Sequence, residues 1–232
     1  MNDIMLNSAT IGVVISLLSY FLGVWLKEKT KKSIFNPLLI SIVLGIVFLL
    51  VFDSEYESYN QSAKYLSYLL TPATVCLAIP LYQKLALLKK YPIAIFVGIT
   101  SGVLTSLLSI FGLSLLFKLS YEEFVTLLPK SITTAIGMGI SEELGGYTSI
   151  TAAVIIITGI LGNLIGELVC KVFRIRHAIS RGLALGTSSH AIGTTKAMEL
   201  GETEGAMSSL SIVVAGLLTV VLASVFAMLY KI

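Results

Sequence analysis

Charged residues are scarce in this chain of 232 residues. Asp, Glu, Lys and Arg make up only 12% of it, whereas 56% of its residues are hydrophobic. A soluble globular domain has roughly 25% charged residues, and several apolar runs here approach the roughly 20 residues that a helix needs to cross a bilayer. The runs lack the alternation of barrel strands. The composition therefore predicts an all-α integral membrane protein with a single domain over 1–232.

Cysteine and histidine are also rare. The two cysteines, Cys76 and Cys170, and the two histidines, His177 and His190, form no disulfide framework and no metal-ligand spacing. We therefore expect no metal and no cofactor. The chain has no HExxH motif, no paired aspartates in apolar runs and no nucleophile–histidine pair beyond a weak SSH, so we do not expect an enzyme. The net charge of +3 gives no reason to expect a nucleic-acid partner.

Six apolar segments predict spanning helices, and two further segments are interrupted by polar residues. The predicted spans are 4–26, 35–52, 64–88, 91–117, 148–172 and 206–230. Gly, Ser and Thr interrupt the segments 124–147 and 182–204. The N-terminus has no basic stretch typical of a removable signal peptide, so the first helix is expected to remain.

Basic residues predict the orientation, because cytoplasmic loops are enriched in Lys and Arg. Eleven of the sixteen form three clusters: Lys27, Lys29, Lys31 and Lys32; Lys84, Lys89 and Lys90; and Lys171, Arg174, Arg176 and Arg181. The first three spans then place the N-terminus outside the cell. A full crossing by 124–147 would put the third cluster outside as well, whereas a re-entrant hairpin keeps it in the cytoplasm. We therefore expect the hairpin.

Two stretches resemble each other in sequence. TAIGMGISEELGG, 134–146, and HAIGTTKAMELGE, 190–202, are identical at six of thirteen positions, with an offset of 56 residues. Gly137 and Gly193 align, and glycine allows close backbone approach at a break. A hairpin followed by one span crosses the membrane an odd number of times, so a duplicated unit would be inverted. The pattern predicts an inverted repeat, the architecture of many secondary transporters.

The interrupted segments are candidates for a substrate site. Backbone groups without partners are tolerated at membrane depth only inside protein or beside a wet cavity. The N-termini of half-helices favour small anions, and hydroxyl groups add hydrogen-bond donors. The predicted substrate-binding residues are Ser131, Thr133 and Thr134 in the first segment and Ser188, Ser189, His190 and Thr194 in the second. The alternative is that these side chains only cap helix ends and satisfy freed carbonyl groups.

Two prolines interrupt the third predicted span. In TPATVCLAIPLYQK, 71–84, Pro72 and Pro80 each remove a backbone donor and crowd the carbonyl one turn earlier. Thr71 and Thr74 are near enough in sequence to pair with the freed groups. We predict that they also line the substrate site, and the alternative is a kinked packing helix.

Three residues are predicted to couple transport to an ion. His190 can titrate near neutral pH, and an ionisable group at membrane depth is a functional candidate by default. Glu167 lies within the fifth predicted span, with Asn163 one turn earlier on the same face. The alternatives are that His190 satisfies carbonyl groups at the break and that Glu167 reaches the interface and pairs with Lys171.

Three separated motifs resemble the LrgB/CidB family of bacterial membrane proteins. They are TPATVCLAIPLYQK, LLPKSITTAIGMGISEELGG and SRGLALGTSSHAIGTTKAMELGE. The likeness runs over nearly the whole chain, and the length and the order of the spans agree. It leaves open whether the chain is of the LrgB or the CidB type.

The resemblance implies a function and a partner. The family is named for holin-like and antiholin-like proteins that modulate murein hydrolase activity and cell lysis, encoded beside a smaller membrane protein, LrgA or CidA. Related proteins, including a plastid glycolate/glycerate translocator, move small carboxylates, and some bacterial members are linked to pyruvate. The resemblance thus implies a multi-pass protein of the bacterial plasma membrane. We expect it to be a homo-oligomeric carrier of a small monocarboxylate or a structural modulator of lysis.

Overall fold

The computed structural model describes residues 10–30, 35–76 and 78–230, without the side chains of Leu70, Thr74 and Leu81. Within these ranges the chain is helical and contains no β-strand. Its contacts separate into two compact units, Met1–Cys76 and Leu77–Ile232. The expectation of an all-α membrane protein is confirmed.

The first unit contains α1 (Ile11–Thr30), α2 (Pro37–Val51), α3 (Tyr56–Tyr68) and α4 (Leu70–Cys76). Asn36 begins α2, because its side-chain oxygen accepts hydrogen bonds from the first backbone N–H groups of the helix. Pro37 follows at the first helical position, where no N–H is needed. α1 approaches α3 closely at Gly12, whose N–H donates to the hydroxyl of Ser62 at 3.0 Å.

The second unit contains the remaining helices. They are α5 (Ala78–Gln83), α6 (Leu85–Lys90), α7 (Pro92–Phe117), α8 (Tyr121–Leu127), α9 (Thr134–Glu143), α10 (Thr148–Val172), α11 (Ala178–Leu200) and α12 (Glu202–Tyr230). A capping box between Ser120 and Glu123 begins α8. The core lies between α7, α8 and α12, where the ring of Phe124 stacks on that of Tyr230 with centroids 4.2 Å apart.

Four of the described helices are long and apolar enough to cross a membrane: α1, α7, α10 and α12. α2 is apolar but has only 15 residues. The predicted span 64–88 is instead divided among α3, α4, α5 and α6. Most of α3 is polar, and Pro72 and Pro80 are each the third residue of a short helix. The count of six spans is therefore not confirmed.

α7 and α12 run side by side in the same direction. At one end Leu183 packs against Gly98 of α7, and nearby Arg181 pairs with Glu204 of α12. At the other end the hydroxyl of Tyr230 lies 3.1 Å from the carbonyl oxygen of Ser114.

We call the first end the basic end, after Lys171, Arg174, Arg176 and Arg181. We call the second the acidic end, after Glu122, Glu123, Glu142 and Glu143.

The first interrupted segment folds as a hairpin of α8 and α9 that opens at the acidic end. The hydroxyl of Thr151, near the start of α10, donates toward the carbonyl oxygen of Thr126 in α8 at 3.0 Å. The same hydroxyl lies 2.7 Å from the side-chain hydroxyl of Ser141 in α9. One turn deeper along α10, Ile155 packs against Gly137. The chain therefore turns beside Ile155 and returns to the acidic end.

The second interrupted segment, α11, folds as a hairpin that opens at the basic end. Both halves meet Ser208 of α12: Gly186 packs on its backbone, and the hydroxyl of Thr194 lies 2.7 Å from that of Ser208. Met198 packs against Gly205, three residues nearer the start of α12. The second half of α11 therefore runs back toward the end from which the first half came.

The two hairpins thus open at opposite ends of the second unit. α7 begins at Pro92 and α10 at Thr148, so the offset of 56 residues found between the hairpins also relates the helices before them. An inverted repeat would produce this order. Whether the two halves are a duplication stays a prediction.

Candidate functional site

The centre of the second hairpin is a break in α11 at two residues. Ser189 has φ −139° and ψ 16°, and His190 has φ 43° and ψ −137°. A positive φ is uncommon for any residue other than glycine. These angles reverse the chain between the two half-helices and leave backbone groups that need partners outside the helix.

His190 anchors the break to α10. Its ring is 3% exposed, and its Nε2 lies 3.1 Å from the carbonyl oxygen of Ile155. A carbonyl oxygen only accepts, so Nε2 carries the hydrogen. The hydroxyl of Thr194 donates to the carbonyl oxygen of His190 at 3.0 Å. Because its single proton is used there, the Thr194 hydroxyl accepts a hydrogen bond from the hydroxyl of Ser208. The break is therefore held by the His190 ring on α10 and by Thr194, which bonds both to the carbonyl group of His190 and to Ser208 of α12.

Two glycines of α10 make room for the break. A Cβ atom on Gly159 would lie 2.8 Å from Cε1 of His190, and one on Gly162 would overlap the side chain of Ser189. Both distances are too short for a real side chain. The broken backbone can pack on α10 only because these positions carry no side chain.

A groove of about 800 Å³ lies beside the break, between α7, the tip of the first hairpin and the first half of α11. α7 contributes small residues at helical spacing along one face. The lining residues are Tyr91, Ala94, Gly98, Ser101, Gly102, Thr105, Ser106, Ser109, Lys130, Ser131, His177, Ile179, Ser180, Leu183, Ala184, Thr187 and Ser188. The groove runs from the basic end to the middle of α7 and is lined by hydroxyl groups for most of its length.

The only lysine or arginine of the groove lining lies at its inner end, which we define as Ser106, Ser109, Lys130 and Ser131. Nζ of Lys130 donates to the hydroxyl of Ser131 at 3.1 Å, and that hydroxyl lies 2.9 Å from the hydroxyl of Ser106. Among the described residues, no carboxylate forms an ion pair with Lys130. The remaining N–H groups of Lys130 and a hydroxyl proton of the serine pair can therefore bind another group.

Hydroxyl groups along the wall of α7 donate their hydrogen bonds to backbone carbonyl groups of the same helix. Ser101 donates to the carbonyl oxygen of Gly98 at 2.8 Å, Thr105 to that of Ser101 at 2.7 Å, and Ser109 to that of Ser106 at 2.8 Å. These side chains present oxygen lone pairs to the groove. The ammonium group of Lys130 is the charged donor beside this wall, so an anion there would bind to Lys130 and its serine partners.

The predicted substrate-binding residues fall into three groups. Ser131 and Ser188 line the groove. Ser189, His190 and Thr194 are buried beside it and hold the break in place. Thr133 and Thr134 begin α9 and are half-buried outside the described lining. Substrate contact by these residues stays a prediction.

Other predicted residues lie elsewhere. Thr71 is exposed on α4 of the first unit, and the side chain of Thr74 lies outside the described part of the chain. Gly137 and Gly193 are both buried within their hairpins. A role for Thr71 and Thr74 in a site stays a prediction.

Asn163 and Glu167 fasten the second half of α11 to α10. Nδ2 of Asn163 donates to the carbonyl oxygen of Ile192 at 2.8 Å. Glu167 lies between two cations, 2.8 Å from Nζ of Lys171 and 3.0 Å from Nζ of Lys196. The ion pair between Glu167 and Lys171, the alternative to ion coupling, is therefore present, and Lys196 is a second cation bound to the same carboxylate. Ion coupling by Asn163, Glu167 or His190 stays a prediction.

Sequence reasoning missed most of the inner end of the groove. Lys130 lies within PKSIT, and a charged residue in a predicted membrane segment is a functional signal on its own. Ser101, Thr105 and Ser109 recur every four residues, which places them on one face of a helix. Both signals were available without the structure.

Comparison with known proteins identifies the family. The model of the LrgB-like family matches residues 16–229. Antiholin-like protein LrgB of Bacillus cereus (strain B4264) and that of Bacillus anthracis (strain A0248) are each 40% identical over 216 residues, which cover 93% of this chain and 94% of each relative. No solved structure matches the chain significantly. The chain belongs to the LrgB-like family, and the resemblance seen in its motifs is confirmed.

Proposed function

We propose that this LrgB-like protein carries a small organic anion such as pyruvate across the membrane and binds it at the inner end of the groove. The observation that carries the proposal is Lys130, a half-buried cation whose described partner is the hydroxyl of Ser131. A lysine at membrane depth is costly, by up to about 2.5–3.5 kcal/mol at the centre of a spanning helix. A bound carboxylate would offset part of that cost.

The hydrogen-bond pattern supports an anion over a cation. The ammonium group only donates, so the Lys130–Ser131–Ser106 chain directs its remaining protons toward the groove. Hydrogen bonds from a charged donor to a carboxylate are short and stronger than those between neutral groups. A bound metal cation at this end would instead be repelled by Lys130.

The size of the groove favours a small substrate at one end of it. Binding clefts of 300–1,000 Å³ usually hold drug-sized ligands, and a pyruvate-sized anion would fill only a small part of about 800 Å³. The rest of the groove then serves as an access path from the basic end. Its wall of hydroxyl oxygens keeps the path hydrated.

The hairpins suggest how access alternates. Broken helices that open at opposite ends flank the fixed site in secondary transporters with inverted repeats, and one bundle rocks against the other. Here the tip of the first hairpin supplies Lys130 and the first half of α11 supplies the opposite wall. Movement of α11 relative to α7 would open or close the groove.

A structural role in lysis control is the second candidate. Its support is the name of the relatives, antiholin-like protein LrgB. A protein of this kind would act with an LrgA/CidA-type membrane partner, or as a homo-oligomer, to modulate murein hydrolase activity without moving a solute. The two roles are compatible if the concentration of the transported anion controls lysis.

Uptake by reconstituted vesicles separates the two candidates. Vesicles holding the protein, with and without an LrgA-type partner, would be given labelled pyruvate, with lactate and glycolate as competitors. A carrier gives saturable uptake, and lactate or glycolate reduces it if they compete for the site. Unlabelled pyruvate inside the vesicles accelerates the uptake of labelled pyruvate by a carrier. A pore gives uptake without saturation or acceleration. No uptake in either preparation, with an effect on lysis retained in cells, would overturn the carrier proposal.

A further inference from the structure

A second basic site lies at the end of α10, away from the groove. A cavity of about 300 Å³ is lined by Glu167, Cys170, Lys171, Arg174, Ile175, Arg176 and Arg181. Of its four cations, Lys171 pairs with Glu167 and Arg181 pairs with Glu204, so Arg174 and Arg176 are the two without a described carboxylate partner. Glu167 is already paired with Lys171 and Lys196, so its charge does not neutralise the arginines.

The arginines of this cavity have unused donors. Arg181 pairs with Glu204 through one terminal nitrogen, while its buried Nε has no hydrogen-bond partner among the described residues. Arg174 and Arg176 are exposed and form no ion pair with any described carboxylate. Guanidinium groups match the geometry of phosphate oxygens and bind them through paired hydrogen bonds.

Arg174 occupies a backbone position that favours glycine. The helix α10 ends with the N–H of Ile175 donating to the carbonyl oxygen of Cys170 at 2.8 Å, and Arg174 between them has φ 56°. Glycine is the usual residue in this left-handed position at a helix end. An arginine there is conformationally unfavourable, which points to a use for its side chain.

Exposed apolar residues are the sequence neighbours of the residues that line the cavity. Leu168 and Val172 in the last turns of α10, and Phe173 directly after it, are 61%, 66% and 73% exposed. α10 is a candidate membrane span, so we expect these side chains at the boundary between acyl chains and headgroups. A ligand with a phosphate group and an attached acyl chain would contact both the arginines and this apolar surface.

We propose that this cavity binds the phosphate headgroup of an anionic phospholipid, with an acyl chain along Leu168 and Val172. The phosphate is bound by Arg174 and Arg176, whereas Arg181, whose Nε is buried, stays paired with Glu204. This site is separate from the groove and does not depend on carrier activity. Because Arg181 lies in the same lining and joins the first half of α11 to α12 through Glu204, a bound headgroup would lie beside the start of the second hairpin.

Native mass spectrometry of the full-length protein tests the site. The purified protein would be titrated with dioleoylphosphatidylglycerol and, separately, with dioleoylphosphatidylcholine. We expect a preference of about tenfold or more for phosphatidylglycerol, from two or more basic residues that each favour the anionic headgroup. The double variant Arg174→Gly/Arg176→Gln should reduce this preference to about twofold or less.

Two comparisons make the result specific. Lys89→Gln/Lys90→Gln removes the same charge from the same end of the unit and should keep the preference. Glycine adopts the left-handed conformation of position 174 without strain, so the double variant should unfold at an unchanged or higher temperature. Equal retention of the two lipids, or a preference unchanged in the double variant, would overturn the site. Displacement of the lipid by inorganic phosphate at equal concentration would show a soluble anion site and overturn the lipid assignment.

Discussion

The Nε2 atom of His190 lies 3.1 Å from the carbonyl oxygen of Ile155, and Ile155 also packs against Gly137 of the other hairpin. One residue of α10 therefore contacts both broken segments. The tips of hairpins that open at opposite ends meet at the same depth of the bundle. This common level is where the inner end of the groove also lies, because Ser106 of α7 bonds to Ser131 at the first tip.

The direction of the two hairpins can be tested by chemical labelling. In a variant without Cys76 and Cys170, single cysteines would replace Glu122, Glu143 or Arg176. The arrangement predicts that a membrane-impermeant reagent reaches positions 122 and 143 from one side and position 176 from the other. Labelling of 122 and 143 from opposite sides would show that the first segment crosses the membrane.

The glycine contact at the second break predicts a large effect from a small change. Gly162→Ala should destabilise the protein by about 1–3 kcal/mol, because the added methyl group overlaps Ser189. Thermal unfolding in detergent measures it. Gly112→Ala is the matched control, since nothing lies within 4 Å of its added methyl group. Equal effects of both variants would contradict the close packing of the break on α10.

His190 is expected to stabilise the fold through its bond to Ile155. His190→Ala removes this hydrogen bond and leaves a cavity where the buried ring was, which should together cost about 1–3 kcal/mol. His190→Asn should retain more stability, because asparagine tolerates a positive φ and supplies an N–H donor. Thermal unfolding of the two variants compares them. If His190→Ala is as stable as the wild type, the ring does not hold the break.

The bond between Thr194 and Ser208 joins the second hairpin to α12. A double-mutant cycle with Thr194→Val and Ser208→Ala should give a coupling of about 1 kcal/mol, near the range found for hydrogen bonds between membrane helices. Chemical denaturation in mixed micelles provides the four free energies of unfolding. Strict additivity would mean that the two hydroxyl groups stabilise the protein independently.

The sequence predicted the broken segments but not the whole inner end of the groove. SSHAIG marked the break because small polar residues interrupt an apolar run, and the break falls at Ser189 and His190. Ser131 was predicted to bind substrate, whereas its neighbour Lys130, a charged residue within the same predicted segment, was not. Its proximity to Ser106 depends on the packing of the hairpin against α7, which local sequence does not encode.

The third predicted span, 64–88, is not confirmed. Hydropathy over 64–88 averages an apolar second half with the polar residues of α3, whereas the described residues of this range belong to four separate helices. Pro72 and Pro80 were predicted to interrupt the span, and each lies near the start of a short helix. Their position in the first turn of short helices depends on where the chain turns, which is a tertiary property.

The central claim is that Lys130 binds the transported anion, and uptake of labelled pyruvate by vesicles holding Lys130→Met tests it most directly. Methionine is unbranched and only one atom shorter than lysine, and it removes the charge, so the fold should be at least as stable. The account predicts a loss of saturable uptake of about tenfold or more, as expected when a charged hydrogen-bond donor is removed, while Lys89→Met retains uptake. Unchanged saturable uptake in Lys130→Met would contradict the account.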